Sequence, residues 1–299
     1  MNLCDVNVVK RIMSKYGTGT KKSFGQNFLI NRQIPMSIAE ESSSYHQSKC
    51  GDTSAVIEIG PGIGCLTNEL CLCYDKVVAV EIDSSLIPIL GETLAEHKNL
   101  TVVNTDFLKI DLNSFIDEHF GGCSVSVCAN LPYYITTPII MKLLEQSRGQ
   151  HGSSRLTSIT VMVQKEVAMR LCATEKDSEY GAITASINYY GQAVRLFDVE
   201  PDNFLPAPKV TSSVIRIELY DEPIYKTKSE KMLFKVIEGA FAQRRKTMVN
   251  SLASVFSSLP KAKIGEIITR LGFDINIRGE RLSIKDFCAL ADEFYGELK

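Results

Sequence analysis

Four groups of residues could act together in chemistry. Glu58 stands two positions ahead of the turn Gly60-Pro61-Gly62-Ile63-Gly64, Glu81 follows Gly60 by 21 residues, Asp106 comes next, and Asn130-Leu131-Pro132-Tyr133 closes the set. Glycines let a backbone turn tightly and approach a ligand closely. The spacing here is Gly-x-Gly-x-Gly, not the Gly-x-Gly-x-x-Gly of a dinucleotide site. A carboxylate at Glu81 can accept both hydroxyls of a ribose, and Asp106 can accept from an adenine amino group. Together these describe an adenosine pocket, which suits either NAD or S-adenosylmethionine.

The tetrapeptide separates those two cofactors. An exocyclic base amine is a poor nucleophile because its lone pair is delocalised into the ring. The Asn130 side-chain oxygen and the Leu131 carbonyl are two acceptors that can bond both amine hydrogens and favour a tetrahedral nitrogen. Pro132 stiffens the turn and restricts the residue before it. Tyr133 offers a face on which a base can stack. Proximity and alignment then carry the reaction without a general base of tuned pKa. A Pro-containing loop with a packed Tyr would look the same in isolation, but the acids at 81 and 106 weigh against that reading. Phe204, in Phe204-Leu205-Pro206-Ala207-Pro208-Lys209-Val210, could clamp the other face of the same base or simply cap the core.

Such groups need a scaffold that brings them to one edge. Apolar runs at 55–59, 77–82, 100–103, 124–129 and 159–163 read as strands, and helical patterns lie between several of them. That alternation predicts βαβ units and a mostly parallel sheet, covered by helices on both faces. In an open parallel sheet, ligands sit beyond the carboxyl ends of the strands. The four groups fall at those ends. Residues 193–199 and 213–219 read as two further strands with no helix between them, so the sheet should finish antiparallel. A short helix is expected over 5–15 and another over about 31–43, followed by a Ser-rich linker to about 53. After residue 221 only helices are expected, near 229–242, 244–256, 262–271 and 283–294. The expected domains are therefore 1–220, with a basic arm over about 1–32, and a helical domain over 221–299.

The charge balance, 33 Lys+Arg against 35 Asp+Glu, argues against a wholly basic protein. Its distribution is uneven. Residues 1–32 hold 6 basic and 1 acidic residue, residues 33–220 hold 13 and 23, and residues 221–299 hold 14 and 11. The basic excess lies in the arm and the helical domain. Lys10, Arg11, Lys15, Lys21 and Lys22, and separately Arg244, Arg245 and Lys246, are natural phosphate contacts if the partner is RNA. The nine cysteines form no Cys-x-x-Cys pair, so reduced thiols and no metal site are expected. There is no apolar run long enough to span a membrane and no signal-peptide core.

Taken in order and spacing, these motifs resemble the ribosomal RNA adenine N6,N6-dimethyltransferase family of the KsgA type. Gln26-Asn27-Phe28-Leu29, Glu81-Ile82-Asp83, Phe241-Ala242-Gln243-Arg244-Arg245-Lys246-Thr247 and Arg278-Gly279-Glu280-Arg281-Leu282 extend the resemblance over nearly the whole chain. It implies a class I, Rossmann-like methyltransferase fold with S-adenosylmethionine as donor. The implied substrate is two adjacent adenosines in the 3′-terminal hairpin loop of small-subunit (16S) rRNA, each dimethylated at the amino nitrogen. The implied partner is the immature small ribosomal subunit, met in the cytoplasm by a monomer with no membrane involved.

Carried over position by position, the resemblance gives Gln26, Asn27, Leu29, Glu58 and Asn130 to the cofactor, with Gly60, Gly62 and Gly64 passing close to its methionine part. Glu81 holds the ribose, Ile82 packs on the cofactor adenine and Asp106 reads its amino group. Asn130, Leu131, Pro132 and Tyr133 hold the target base, and Phe204 stacks on it. Lys21, Lys22, Arg244, Arg245 and Lys246 meet RNA. A sister family, the Erm enzymes, methylates large-subunit rRNA, but Pro61 and Leu131 favour the small-subunit type. Tyr134 stands where many members carry Asn, a departure that bears on packing beside the target base.

Overall fold

The computed structural model describes residues 1–17, 27–51, 54–149, 153–175, 177–243 and 245–298. The chain divides into two compact units. One comprises Met1–Ala168 and Ala193–Asp221, the other Met169–Gln192 and Glu222–Lys299.

The first unit opens with α1 (Val6–Lys15), started by Asp5, whose side chain accepts from the Asn7 and Val8 amides. Lys15 at its end pairs with Glu92 at 2.6 Å, which ties the helix to the segment 87–93. A two-residue strand, β1 (Phe28–Leu29), precedes α2 (Gln33–Cys50). The sheet strands and helices then alternate as expected: β2 (Ala55–Ile59), α3 (Cys65–Cys73), β3 (Lys76–Glu81), α4 (Ile87–Thr93), β4 (Leu100–Asn104), α5 (Leu112–Phe120), β5 (Val125–Asn130), α6 (Thr136–Glu145) and β6 (Leu156–Gln164). After α7 (Lys165–Leu171) and α8 (Ala182–Tyr190) come β7 (Gly191–Val199), the short β8 (Phe204–Leu205) and β9 (Ser212–Leu219).

Among the described residues the main sheet has seven strands in the order β4-β3-β2-β5-β6-β9-β7. The pairs β4–β3, β3–β2, β2–β5 and β5–β6 are parallel, and β6–β9 is antiparallel. Helices cover both faces. That is why β2, β5 and β6 are buried almost end to end. The order reverses at β2, where β3 lies on one side and β5 on the other. Loops leaving the carboxyl ends of β2 and β5 therefore diverge and open a crevice.

Several elements differ from the sequence expectation. Helix α2 runs on through the Ser-rich stretch read as linker. Its polar side chains are buried but satisfied: Ser42 Oγ lies 2.7 Å from the Tyr74 hydroxyl, and His46 Nδ1 lies 3.0 Å from Ser126 Oγ and 3.1 Å from Thr157 Oγ1. Such groups can be buried when each finds a partner. Helix α5, unmarked in the sequence reading, begins at Asp111, which accepts from the Ser114 amide, and ends at the left-handed Gly121. Residues 200–211 are more than a connector, because β8 pairs antiparallel with β1, Phe28 facing Leu205 and Leu29 facing Phe204.

The second unit holds α9 (Glu230–Phe241), α10 (Met248–Val255), α11 (Lys261–Arg270) and α12 (Ile284–Glu297). It also takes in Met169–Gln192, which the sequence reading gave to the first domain. The reason is aromatic packing. Tyr190 stacks on Phe234 with ring centroids 5.6 Å apart, Tyr189 donates to Glu230 at 2.8 Å, and Tyr180 donates to the Leu282 carbonyl at 3.0 Å. No helix among the described residues is long and apolar enough to cross a membrane.

Candidate active site

The crevice at the ends of β2, β3, β4 and β5 is a cleft of about 170 Å³, open to solvent. Its walls come from six stretches of the first unit, each placed by a strand.

The floor is the turn after β2. Gly60, Gly62 and Gly64 have φ of 72°, 60° and 96°, conformations that L side chains rarely adopt. The Gly60 amide donates to the Val80 carbonyl and the Gly64 amide to the Pro61 carbonyl, both at 2.9 Å. Gly62 faces the cleft, and a Cβ there would meet the Phe28 ring at 3.3 Å. Gly64 stands one step back from the cleft lining. It is the N-cap of α3, with its Cα against Leu94.

Two acids flank that turn. Glu58, inside β2, is 1% exposed, and its Oε2 has no hydrogen-bond partner among the described residues. Burial pushes its pKa up to about 8, so the carboxyl is held neutral near pH 7 and can donate a hydrogen bond. Glu81, the last residue of β3, accepts from the Asp83 amide at 2.7 Å on Oε1 and from the Gly62 amide at 3.3 Å on Oε2. Burial raises its pKa while those amides pull it down. Each oxygen keeps a further lone pair for a ligand hydroxyl. Ile82 follows with its side chain half in water at the rim.

Asp106, just beyond β4, accepts from the Leu108 amide on Oδ1 at 3.0 Å. Its Oδ2 lies 3.9 Å from Lys109 Nζ, an exposed and weak pairing. That oxygen is available to an amino group in the cleft.

The opposite wall begins at Asn130, the end of β5. Its Nδ2 donates to the Asn27 carbonyl at 3.5 Å. With the amide nitrogen so engaged, the side-chain oxygen is left as the free acceptor. Leu131 is buried, Pro132 and Tyr133 line the cleft, and the Tyr133 hydroxyl lies 2.8 Å from Ser212 Oγ. Phe204 is 3% exposed yet lines the same cleft. It closes the core and also walls the cleft. The β1–β8 ribbon explains how Asn27, Leu29 and Phe204 reach one place from distant parts of the chain. The Ile30 amide reinforces it by donating to the Asn203 carbonyl at 2.9 Å.

The expected residues thus fall into three groups, apart from Gly64, which stands behind the lining. Asn27, Leu29, Glu58, Gly60, Gly62 and Glu81 line the cleft, as do Ile82, Asp106, Asn130, Leu131, Pro132, Tyr133 and Phe204. Arg245 and Lys246 belong to the second unit, exposed and ahead of α10, not within a helix beginning at 244. Gln26, Lys21, Lys22 and Arg244 lie outside the described residues. Sequence reasoning passed over Phe28 and Leu108 as lining residues, and Tyr134, noted there only as a departure beside the target base, lines the cleft as well. Phe28 carried a signal, since it sits between two residues singled out for the cofactor.

Residues 17–295 match the ribosomal RNA adenine dimethylase family. The chain belongs to that family. Ribosomal RNA small subunit methyltransferase A of Alkaliphilus oremlandii is 42% identical over 289 residues, covering 97% of this chain and 96% of that one. The protein of the same name from Bacillus mycoides is 43% identical over 289 residues, covering 96% and 95%. Among solved structures, a dimethyladenosine transferase from Plasmodium falciparum superposes with a TM-score of 0.71 at 23% identity, over 90% of this chain and 98% of that one. The 23S rRNA methyltransferase ErmE gives 0.64 at 24% identity, over 89% and 98%. The adenine dimethylase fold, a class I S-adenosylmethionine-dependent methyltransferase sheet with a C-terminal helical region, is the one found here.

Proposed function

We propose that this chain transfers methyl groups from S-adenosylmethionine to the N6 amines of two adjacent adenosines in the 3′-terminal hairpin of small-subunit (16S) rRNA. The observation that carries this reading is the junction of two half-sites in one cleft. Acids spaced for a nucleoside lie on one side and the Asn130–Tyr133 turn on the other.

The cleft fits the cofactor on its own chemistry. A glycine floor that a Cβ would crowd, two carboxylates with free lone pairs and a neutral buried carboxyl with one unpartnered oxygen suit an adenosine joined to an amino-acid tail. S-adenosylmethionine, when bound, supplies an electrophilic methyl on a sulfonium. Glu81 holds the ribose hydroxyls, Ile82 packs on the adenine and Asp106 accepts from its amino group.

The chain's other task is to present the acceptor amine. In the first transfer the Asn130 oxygen and the Leu131 carbonyl take the two amine hydrogens, and in the second one of them takes the hydrogen that remains. This draws the lone pair out of conjugation and aims it, and after each transfer the nitrogen sheds one proton to solvent. Tyr133 and Phe204 hold the base turned out of its stack. Alignment of this kind is worth several kcal/mol of barrier. The exposed Arg245 and Lys246 and the basic arm contact phosphates outside the cleft.

We place the reaction on the immature small subunit in the cytoplasm, carried out by a monomer. The names of the near relatives and the Pro61 and Leu131 signatures support small-subunit over large-subunit RNA. Reverse transcription across both rRNAs after incubation with enzyme and cofactor tests the choice. Stops confined to the small-subunit hairpin support it, and stops in the large-subunit RNA overturn it.

A further inference from the structure

The turn after Asn130 carries two tyrosines with different surroundings. The Ile135 amide donates to the Pro132 carbonyl at 3.1 Å, so Tyr133 and Tyr134 occupy the two corners of a β-turn. Thr136 Oγ1 donates to the same carbonyl at 3.4 Å, and Leu131 on the other side is buried. The chain is thus held on both flanks. Tyr133 is pinned through its hydroxyl to Ser212.

Tyr134 is 63% exposed and lines the lip of the same cleft. Among the described residues its side chain has no hydrogen bond, ion pair or ring contact. Ile82 and Leu108, 53% and 37% exposed, line the cleft too. A large aromatic ring left in water on a rigid turn is unfavourable for the free protein. A ring meant to close the core would be buried, and one meant to latch a lid would have a polar partner. A ring held open beside a base pocket is placed to receive a second flat surface.

We infer that Tyr134 is a stacking platform for the nucleobase next to the target adenosine in the RNA strand. The inference rests on the reading of the cleft given above. Turning one base out of its stack removes a stacking neighbour from the bases on either side, and the continuous backbone keeps those bases at the cleft mouth. Tyr134 replaces the lost neighbour. Every base has a π-face, so this contact holds the strand without reading its sequence. In a substrate with two adjacent adenosines, one is held on Tyr134 while the other reacts. Tyr134 is thus a positioning residue, and its effect falls on RNA engagement, not on the cofactor.

The test is a double-mutant cycle across the interface. Wild type, Tyr134→Ala and Tyr134→Phe are assayed on small subunits reconstituted with intact rRNA, or with rRNA lacking the base on one or the other side of the target adenosine. Stacking on an aromatic is worth about 5- to 150-fold per base. Tyr134→Ala should raise KM for intact subunits by a factor in that range, leave the S-adenosylhomocysteine Kd within about twofold, and be rescued by Tyr134→Phe. On subunits abasic at one of the two flanking positions, the wild type should lose the same factor and Tyr134→Ala should lose nothing more. The inference is overturned if the two losses multiply at both positions, or if cofactor affinity falls as much as KM rises. No transfer by the wild type to intact subunits would overturn the functional reading itself.

Discussion

Asn130 and Asn27, 103 residues apart, meet across the cleft, where Asn130 Nδ2 donates to the Asn27 carbonyl at 3.5 Å. This contact fixes which end of the Asn130 carboxamide remains to accept from a ligand. It also couples the stretch leading into β1 to the turn after β5, the two sides of the cleft that we propose meet the cofactor and the target base. Replacing Asn130 by Ala removes the acceptor, and replacing it by Asp sets a carboxylate oxygen against the Asn27 carbonyl. Single-turnover methyl transfer should fall at least about 100-fold in both variants, the scale for removing one preorganised hydrogen-bonding group at a reaction centre. RNA binding, measured by filter retention, should stay within about threefold. Near-normal transfer by Asn130→Ala would contradict this role.

The Tyr133–Ser212 pair carries a smaller share. Ser212→Ala frees the Tyr133 hydroxyl, and Tyr133→Phe removes it. A hydrogen bond of this kind contributes about 1 kcal/mol, so each change should cost about fivefold in kcat/KM for the RNA. The double variant should cost no more than either single one, because both break the same contact. Fully multiplicative losses would show that the pair does not hold the ring.

Gly64 tests the floor of the cleft. At φ 96° an added Cβ is strained, and it would also lie 2.9 Å from Leu94 Cδ1. Gly64→Ala should destabilise the protein by about 1–3 kcal/mol and weaken S-adenosylhomocysteine binding, both readable in a thermal melt with and without ligand. Adding Leu94→Ala relieves the clash but not the backbone strain, so it should not restore wild-type cofactor affinity.

Glu58 makes stability depend on pH in a stated direction. In the unfolded chain a glutamate ionises near 4.3, whereas buried Glu58 ionises at about 8. Between those values the unfolded chain has released a proton that the folded chain keeps. The stability that neutral Glu58 contributes is complete below about pH 4.3 and is lost as pH rises through about 8. Glu58→Gln is neutral throughout and lacks this loss. Its Tm relative to wild type should therefore climb steadily from pH 5 to pH 8. Parallel Tm profiles for the two proteins would mean that Glu58 is ionised in the fold.

Much of this site was legible because parallel strands are apolar on both faces and stop sharply. The ends of β2, β3, β4 and β5 could be found from composition, and Glu81, Asp106 and Asn130 fell there. What was not legible depends on partners far away in sequence. The Ser-rich half of α2 reads as linker until Tyr74, Ser126 and Thr157 supply its hydrogen bonds. Two residues of β1 are too short for any periodicity, and only pairing with β8 makes them a strand. The stretch 169–192 carries no boundary signal, and its assignment comes from rings that meet Phe234 and the Leu282 carbonyl. Tyr134 reads in the sequence only as a departure that bears on packing beside the target base, since its exposure at the lip of the cleft is a property of the fold.

The central claim is that this cleft dimethylates small-subunit adenosines. Its most direct test is transfer of labelled methyl from S-adenosylmethionine to immature small ribosomal subunits, followed by digestion to nucleosides and mapping of the label. The predicted result is N6,N6-dimethyladenosine at two adjacent positions of the 3′-terminal hairpin, abolished in Asn130→Ala. Label on another nucleoside, or on large-subunit RNA in preference, would contradict the account.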